Sequence, residues 1–135
     1  MRKIFLDSDI MLDATLRREP FYIAAANLLE LCYQAQLKAI TSPTAFINTC
    51  YFLNKLSPST KMELLKRLRS IVSITEVNQS IIDLAFNSNF TDFEDAVQFF
   101  TAKNAGAEVI ITRNIKDYKN STIPVLTAEQ FLRTL

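Results

Sequence analysis

The sequence predicts an α/β fold in which a mostly parallel central sheet is flanked by helices. Short apolar runs alternate along the chain with segments whose apolar residues recur every three or four positions, which indicates alternating strands and helices. The run from Val109 to Ile111 is apolar throughout, as expected for a strand covered by helices on both faces. No repeat, low-complexity tract or linker interrupts the 135 residues, so we expect a single compact domain over residues 1–135.

The first half of the chain predicts two strands and three helices. The strands lie at residues 3–6 and 38–41, and the helices at residues 20–36, 43–55 and 58–70. Ser42 and Ser57 each precede a proline. A serine N-cap followed by proline at the first helical position is a strong start signal for a helix.

The second half predicts three more strands and three more helices. The strands lie at residues 71–75, 108–112 and 124–126. One helix follows an Asn78 cap, one runs from Asp92 to Gly106, and the last follows a Thr127 cap. Gly106, the only glycine, is expected just beyond the end of its helix, where a left-handed backbone favours glycine.

Composition is that of a globular protein and excludes several kinds of catalytic site. The chain is 49% hydrophobic and 21% charged with a net charge of +1, and its apolar runs are too short to span a membrane. The N-terminus lacks the apolar stretch of a signal peptide, so we expect a cytoplasmic protein. Without histidine, Ser-His-Asp and Cys-His chemistry is excluded, and Cys32 and Cys50 are expected to be buried thiols, not zinc ligands. One glycine cannot build a glycine-rich phosphate loop.

Carboxylates remain as the candidate catalytic groups. Asp7 follows the first predicted strand, Asp117 follows the fourth, and Asp95 lies in the first turn of the helix between them. If the first and fourth strands are neighbours, these side chains converge at the carboxyl edge of the sheet, where open α/β sheets bind ligands. Clustered carboxylates repel one another, and a bound Mg²⁺ or Mn²⁺ would compensate for that repulsion. Such a site suits metal-assisted hydrolysis of phosphodiester bonds.

Three segments together resemble the PIN domain family. They are Ile4-Phe5-Leu6-Asp7-Ser8-Asp9-Ile10-Met11-Leu12-Asp13, Asp92-Phe93-Glu94-Asp95-Ala96 and Ile110-Ile111-Thr112-Arg113-Asn114-Ile115-Lys116-Asp117-Tyr118. The resemblance runs over residues 3–132 and is strongest to a bacterial subfamily near the toxins of VapBC toxin–antitoxin modules. It implies a compact PIN-like domain, a ribonuclease that depends on Mg²⁺ or Mn²⁺, frequent homodimers and often a small antitoxin partner.

The resemblance also implies roles for individual residues. The family's acids fall on Asp7, Asp95 and Asp117, which would be both catalytic and metal-binding, and some members use the position of Asn114 in place of that of Asp117. Taken alone, Asp117 would be an ordinary turn residue. The remaining family acid, usually a glutamate on the helix after the second strand, falls on Asn48. The amide of Asn48 can ligate a metal or a water but brings no charge and cannot act as a base.

Helix capping explains some of these acids without any catalytic role. The stretch from Asp7 to Asp9 could cap a helix, and Asp9 is the better candidate for that position. Thr91 and Glu94 have the spacing of a capping box. Asp92 is a further candidate ligand, but it also suits the positive end of the same helix.

Basic and aromatic residues indicate contacts less specifically. Arg17, Arg18 and Arg113 lie near the predicted site and are candidates for contacting the RNA backbone. Phe21 and Tyr22 could mark a dimer or partner surface, although their size favours a core position for at least one of them.

The aspartate cluster predicts metal-assisted hydrolysis of phosphodiester bonds, and the resemblance implies that the chain is a metal-dependent endoribonuclease and the toxin of a toxin–antitoxin module. The alternative is a PIN-like module that binds RNA or a partner protein with little or no turnover. Asn48, in place of an acid, is the feature that favours the alternative.

Overall fold

A five-stranded sheet lies at the centre of the computed structural model, which describes all 135 residues. The strands are β1 (Arg2–Leu6), β2 (Leu37–Thr41), β3 (Val72–Ile74), β4 (Val109–Ile111) and β5 (Val125–Leu126). Their order across the sheet is β3-β2-β1-β4-β5, and each neighbouring pair is parallel. The predicted α/β class is thus confirmed, and every strand ends within one residue of its predicted bounds.

Seven helices flank the sheet. They are α1 (Ser8–Thr15), α2 (Tyr22–Tyr33), α3 (Pro43–Phe52), α4 (Pro58–Ile71), α5 (Gln79–Phe86), α6 (Phe93–Asn104) and α7 (Ala128–Leu132), with 3₁₀ turns at Leu53–Lys55 and Ile115–Tyr118. The prediction of a helix over residues 20–36 is too long at both ends. Ala35 has a φ of 59°, so the chain has left the helical conformation before β2 begins. No helix combines the length and the apolar character that crossing a bilayer requires.

Helix ends follow the predicted signals in most cases. Ser42, Ser57, Asn78 and Thr127 each accept a hydrogen bond from a backbone N–H in the first turn of their helix, as predicted. Gly106 has a φ of 78° and follows the last residues of α6. The N–H groups of the two residues after the C-cap donate to carbonyls within α6, which is the Schellman arrangement.

Two apolar layers cover the two faces of the sheet. On one face, Ile4 and Leu6 of β1 belong to a cluster of 17 buried residues that includes side chains from α1, α2, α4 and α7. On the other face, Phe5 and Ile110 pack against Phe99 of α6. Consecutive strand residues point to opposite faces, which is why the uninterrupted apolar runs of β1 and β4 serve both layers. Cys32 is buried as predicted, whereas Cys50 is only partly buried.

The strand order places β1 at the point where the connections reverse direction. The chain leaves β1 to build β2 and β3 on one side, and later returns to add β4 and β5 on the other. Leu6 pairs with Ile111, so Asp7 and Thr112 follow directly from the ends of adjacent strands. The first and fourth strands are therefore neighbours, which is the condition under which the predicted site residues converge. The crevice at such a reversal is where this class of sheet binds ligands.

Candidate active site

Asp7 follows β1, and its carboxylate is held by neutral donors from the next residue and from the segment after β4. Oδ1 accepts from the backbone N–H of Ser8 at 2.8 Å, which makes Asp7 the N-cap of α1. Oδ2 accepts from the hydroxyls of Thr112 at 3.0 Å and Tyr118 at 3.2 Å. Burial raises the pKa of Asp7 above its ordinary value, and these hydrogen bonds oppose the shift. An ionised Asp7 would therefore be stabilised further by a positive charge that these neutral donors do not supply.

Asp9 is bonded to the loop that follows β4. Its Oδ2 accepts from the backbone N–H of Arg113 at 2.9 Å, and it lies 3.3 Å from the Thr112 hydroxyl and 3.4 Å from the amide nitrogen of Asn114. Oδ1 is buried and has no hydrogen-bond partner. Burial, followed by the charge of Asp7, raises the pKa of Asp9 to about 6. The prediction that Asp9 is the cap of α1 is wrong, because Asp7 holds that position and Asp9 faces the loop instead.

Asp95 and Asp117 come from two other elements. Asp95 lies in the first turn of α6, and Asp117 lies in the 3₁₀ turn after β4. Partial burial, followed by the charges of Asp92, Asp117 and Asp7, raises the pKa of Asp95 to about 7. The negative charges of Asp92, Asp117 and Asp7 therefore act on Asp95 in addition to its burial. No three acidic or thiol side chains of the chain lie in the geometry of a metal site.

Asn48 lies on α3 and faces the start of α6. Its Nδ2 donates to Oε1 of Glu94 at 3.1 Å. The predicted capping box of Thr91 and Glu94 is therefore wrong, because Glu94 reaches across to α3. Asp92 is the N-cap of α6 and accepts from the N–H of Asp95 at 3.0 Å. A carboxylate thus stands beside the amide at the position where the resemblance placed a glutamate.

Comparison with known proteins identifies the family of this chain. Residues 3–116 match the PIN domain. The chain belongs to the PIN domain family. A curated relative, Ribonuclease VapC1 of Aquifex aeolicus (strain VF5), is 25% identical over 134 residues, which cover 96% of this chain and 92% of that protein.

Solved structures show the same fold. A toxin–antitoxin complex from Klebsiella pneumoniae contains a chain that superimposes on this PIN domain with a TM-score of 0.70 at 22% identity, covering 93% of this chain and 97% of that one. VapC20 of Mycobacterium tuberculosis, described as a toxin that cleaves the sarcin-ricin loop, gives a TM-score of 0.64 at 16% identity, covering 86% and 95%. At these identities the likeness describes the fold alone.

Gln98 is a residue of this PIN domain site that sequence reasoning missed. It is only 3% exposed, and its side chain approaches the Asp7 carboxylate. The Ser42 hydroxyl donates to Oε1 of Gln98, which leaves the NH₂ group of Gln98 to face Asp7. The signal in the sequence was its position one turn after Asp95, as a lone amide within the apolar stretch of α6.

Two of the three arginines predicted to contact RNA are bonded to Asp13 in this PIN domain. Arg113 donates to both carboxylate oxygens, at 2.9 and 3.1 Å, and Arg18 donates to Oδ1 at 3.0 Å. Arg17 instead lies over the ring of Tyr22, 5.8 Å from its centroid. Asp13 is 1% exposed and was not singled out from the sequence, although a carboxylate on the buried face of α1 requires such a partner.

The largest groove of this PIN domain lies away from the carboxylates. It has a volume of about 410 Å³ and lies between α1, α2 and α4. Its lining includes Thr15, Arg17, Tyr22, Leu29, Tyr33 and Arg67. None of the candidate site acids lines it, so the groove is separate from the candidate active site.

Proposed function

We propose that this chain is a metal-dependent endoribonuclease that hydrolyses RNA phosphodiester bonds, acting as the toxin of a toxin–antitoxin module. The observation that carries the proposal is a set of carboxylates from the end of β1, the first turn of α6 and the 3₁₀ turn after β4. Asp7 is held at the strand end, and the charges of Asp117 and Asp7 help to raise the pKa of Asp95 to about 7. Membership of the PIN domain family supports a nuclease, as does similarity to a protein named a ribonuclease.

The side chains of this site fit a hard divalent cation. Mg²⁺ and Mn²⁺ prefer carboxylate and amide oxygens, which are the ligand types present here. None of the chain's own ion pairs involves Asp7, Asp95 or Asp117, so their charges are not neutralised by an arginine or a lysine. Oδ1 of Asp9 is buried without a partner beside them. We assign Asp7, Asp95 and Asp117 to the ion, with Asn48, Asn114 and Asp92 in supporting positions.

Hydrogen bonds within the chain orient the Asp7 carboxylate for metal binding. When bound, a divalent ion supplies an activated water and neutralises charge on the phosphate. Hydrogen bonds to both oxygens of Asp7, from Ser8 on one side and from Thr112 and Tyr118 on the other, restrict rotation of the carboxylate. Restricting the ligand before the ion arrives lowers the entropy lost on binding. Asp95, in contrast, has a pKa of about 7, so lower pH would protonate it and weaken its hold on a cation.

The second candidate function is a PIN-like module that binds RNA or a partner without turnover. Asn48 favours it, because an amide supplies neither charge nor a base. The hydrogen bond from Asn48 to Glu94 weakens this argument, since it keeps one carboxylate at that position. The enzymatic function is therefore the better supported of the two.

The partners that we propose for this chain are suggested by the proteins with a similar fold. A similar fold occurs in a toxin–antitoxin complex from Klebsiella pneumoniae, so we expect a small antitoxin protein. We also expect a homodimer, a cytoplasmic location, and contacts between the RNA backbone and Arg17 or Arg18. Co-expression with the product of any short neighbouring reading frame, followed by purification and measurement of the molar mass, tests the antitoxin and the dimer together.

Cleavage of RNA tests the main proposal directly. The purified chain is incubated with structured and unstructured RNAs in Mg²⁺, in Mn²⁺ or in a chelator. Asp7→Asn is the matched control, because asparagine retains an oxygen acceptor for the Ser8 N–H but removes the charge. We expect cleavage by the wild type in either metal, and none in the chelator or from the variant. Cleavage that is absent in all conditions, or equal in the variant, would overturn the proposal.

A further inference from the structure

We propose that the ion pair between Asp13 and Arg113 positions the loop that holds the Asp7 and Asp9 carboxylates. Arg113 then serves the site as a positioning residue, through its own backbone, instead of contacting RNA. The loop comprises residues 112–114. The positioning itself is a property of the fold, while its consequence for metal binding rests on the proposed function.

The guanidinium of Arg113 is held by two hydrogen bonds along its edge and by one aromatic ring against its face. Its Nε and Nη2 donate to the two oxygens of Asp13, at 2.9 and 3.1 Å. This two-point geometry restrains the plane of the guanidinium as well as its distance. The ring of Phe21 lies against one face of the guanidinium, with its centroid 4.0 Å from the central carbon. Asp13 is 1% exposed, so the pair is shielded from water and salt on its acidic side.

The backbone of the same residue holds the site. The N–H of Arg113 donates to Oδ2 of Asp9 at 2.9 Å. Asp9 and Asp13 are four residues apart on α1 and therefore lie on one side of the helix. Arg113 thus binds one carboxylate of α1 with its side chain and another with its backbone, which sets both the position and the rotation of the loop relative to α1.

The neighbour of Arg113 extends this restraint to Asp7. The hydroxyl of Thr112 lies 3.0 Å from Oδ2 of Asp7 and 3.3 Å from Oδ2 of Asp9. Its single proton can be donated to only one of them at a time, and the shorter contact favours Asp7. A shift of the loop would therefore loosen both carboxylates together.

Arg18 provides a matched control, because it binds the same acid but not the loop. Its Nε donates to Oδ1 of Asp13 at 3.0 Å, and its backbone N–H donates to the carbonyl of the same residue. Loss of Arg113 still leaves Asp13 one cationic partner, so the Arg113→Gln variant is expected to fold. Phe21→Leu is a milder second variant that removes the ring from the guanidinium and touches no carboxylate.

Amide hydrogen exchange in the absence of metal tests the positioning itself. We expect exchange at residues 112–114 to be about tenfold faster in Arg113→Gln than in the wild type, and smaller acceleration in Phe21→Leu. Arg18→Gln should lower the thermal midpoint without accelerating exchange in the loop. Equal exchange in Arg113→Gln and wild type, or equal acceleration in Arg113→Gln and Arg18→Gln, would overturn the proposal whether or not the protein cleaves RNA.

Mn²⁺ titration and RNA kinetics test the consequence for the site. Loss of a residue that orients ligands typically weakens metal binding 10–100-fold, and we expect a change of that order in Arg113→Gln, with kcat reduced and KM for RNA little changed. Mn²⁺ affinity should be the same in Arg18→Gln and wild type. A raised KM with unchanged kcat and Mn²⁺ affinity would instead identify Arg113 as an RNA contact and overturn the inference. A wild type that binds no Mn²⁺ would refute the proposed function, while the exchange result still decides the positioning.

Discussion

Nδ2 of Asn48 donates to Oε1 of Glu94 at 3.1 Å and so joins the middle of α3 to the first turn of α6. The two residues together place one negative charge at the meeting point of the helices, where the resemblance to PIN domains implies a single glutamate on α3. Glu94 immediately precedes Asp95 in the sequence and contributes to the raised pKa of Asp95. The charge missing at Asn48 is therefore present on the neighbouring helix.

The first prediction is that the negative charge of Glu94 on α6 can be moved to position 48 on α3 without loss of metal binding. Glu94→Gln should weaken Mn²⁺ binding about tenfold, because it removes the only carboxylate at that contact. The double variant Asn48→Glu with Glu94→Gln should restore the affinity, since the charge returns on the other side of the same contact. Titration calorimetry measures both.

The control for this exchange is Glu129→Gln, which removes a carboxylate of the same type from an exposed pair with Arg133 on α7. Its Mn²⁺ affinity should equal that of the wild type. If Glu94→Gln also leaves the affinity unchanged, Glu94 does not serve the site and the inactive module becomes the better explanation.

The stability of the metal-free protein should fall as pH rises from about 4 to about 7. The pKa of Asp95 rises from 3.8 to about 7 on folding, so the folded state binds this proton more tightly than the unfolded state does. The stabilisation is complete below the unfolded pKa and is lost as pH passes through the folded value. Asp9, with a pKa of about 6, acts in the same direction.

Thermal midpoints measured between pH 4 and pH 8 in a chelator test this dependence. Asp95→Asn cannot ionise, so its midpoint should vary less over the same range, and it should exceed that of the wild type at pH 8. A wild-type midpoint that rises toward pH 8 with the same slope as the variant would show that folding does not raise the pKa of Asp95.

Divalent metal should raise the thermal midpoint at pH 8, because a ligand that binds only the folded state stabilises it. At a metal concentration about one hundred times the dissociation constant, the gain is about 2.7 kcal/mol. Asp7→Asn should lose most of this gain while still folding. A midpoint independent of Mg²⁺ and Mn²⁺ in the wild type would contradict the assignment of a metal site.

Gly106→Ala should lower the free energy of unfolding by about 1–2 kcal/mol, since the φ of 78° is unfavourable for residues with a Cβ. Space is not the cause, because the added Cβ would meet only Nζ of Lys3, at 3.6 Å. Gly106→Asn should cost less, as asparagine adopts this conformation more readily. Urea unfolding measures both variants, and equal losses would point to packing instead of backbone strain.

Local sequence was sufficient for the order and type of nearly all the elements. The uninterrupted apolar run of β4, the Ser-Pro pairs before α3 and α4, and Gly106 after α6 are properties of short segments, and short-range sterics and hydrogen bonding decide them. The candidate acids Asp7, Asp95 and Asp117 could also be named from the sequence, because the family resemblance pointed to all three and two of them, Asp7 and Asp117, follow predicted strands.

Only the tertiary structure decided which residues touch which. Asp9 and Glu94 have sequences around them that suit caps, yet Asp9 binds the loop after β4 and Glu94 binds α3. The burial of Asp13 and its bonds to Arg113, a hundred residues away, likewise depend on the adjacency of β1 and β4. A capping signal lies within four residues, whereas these contacts exist only after distant strands have paired, and so no local pattern records them.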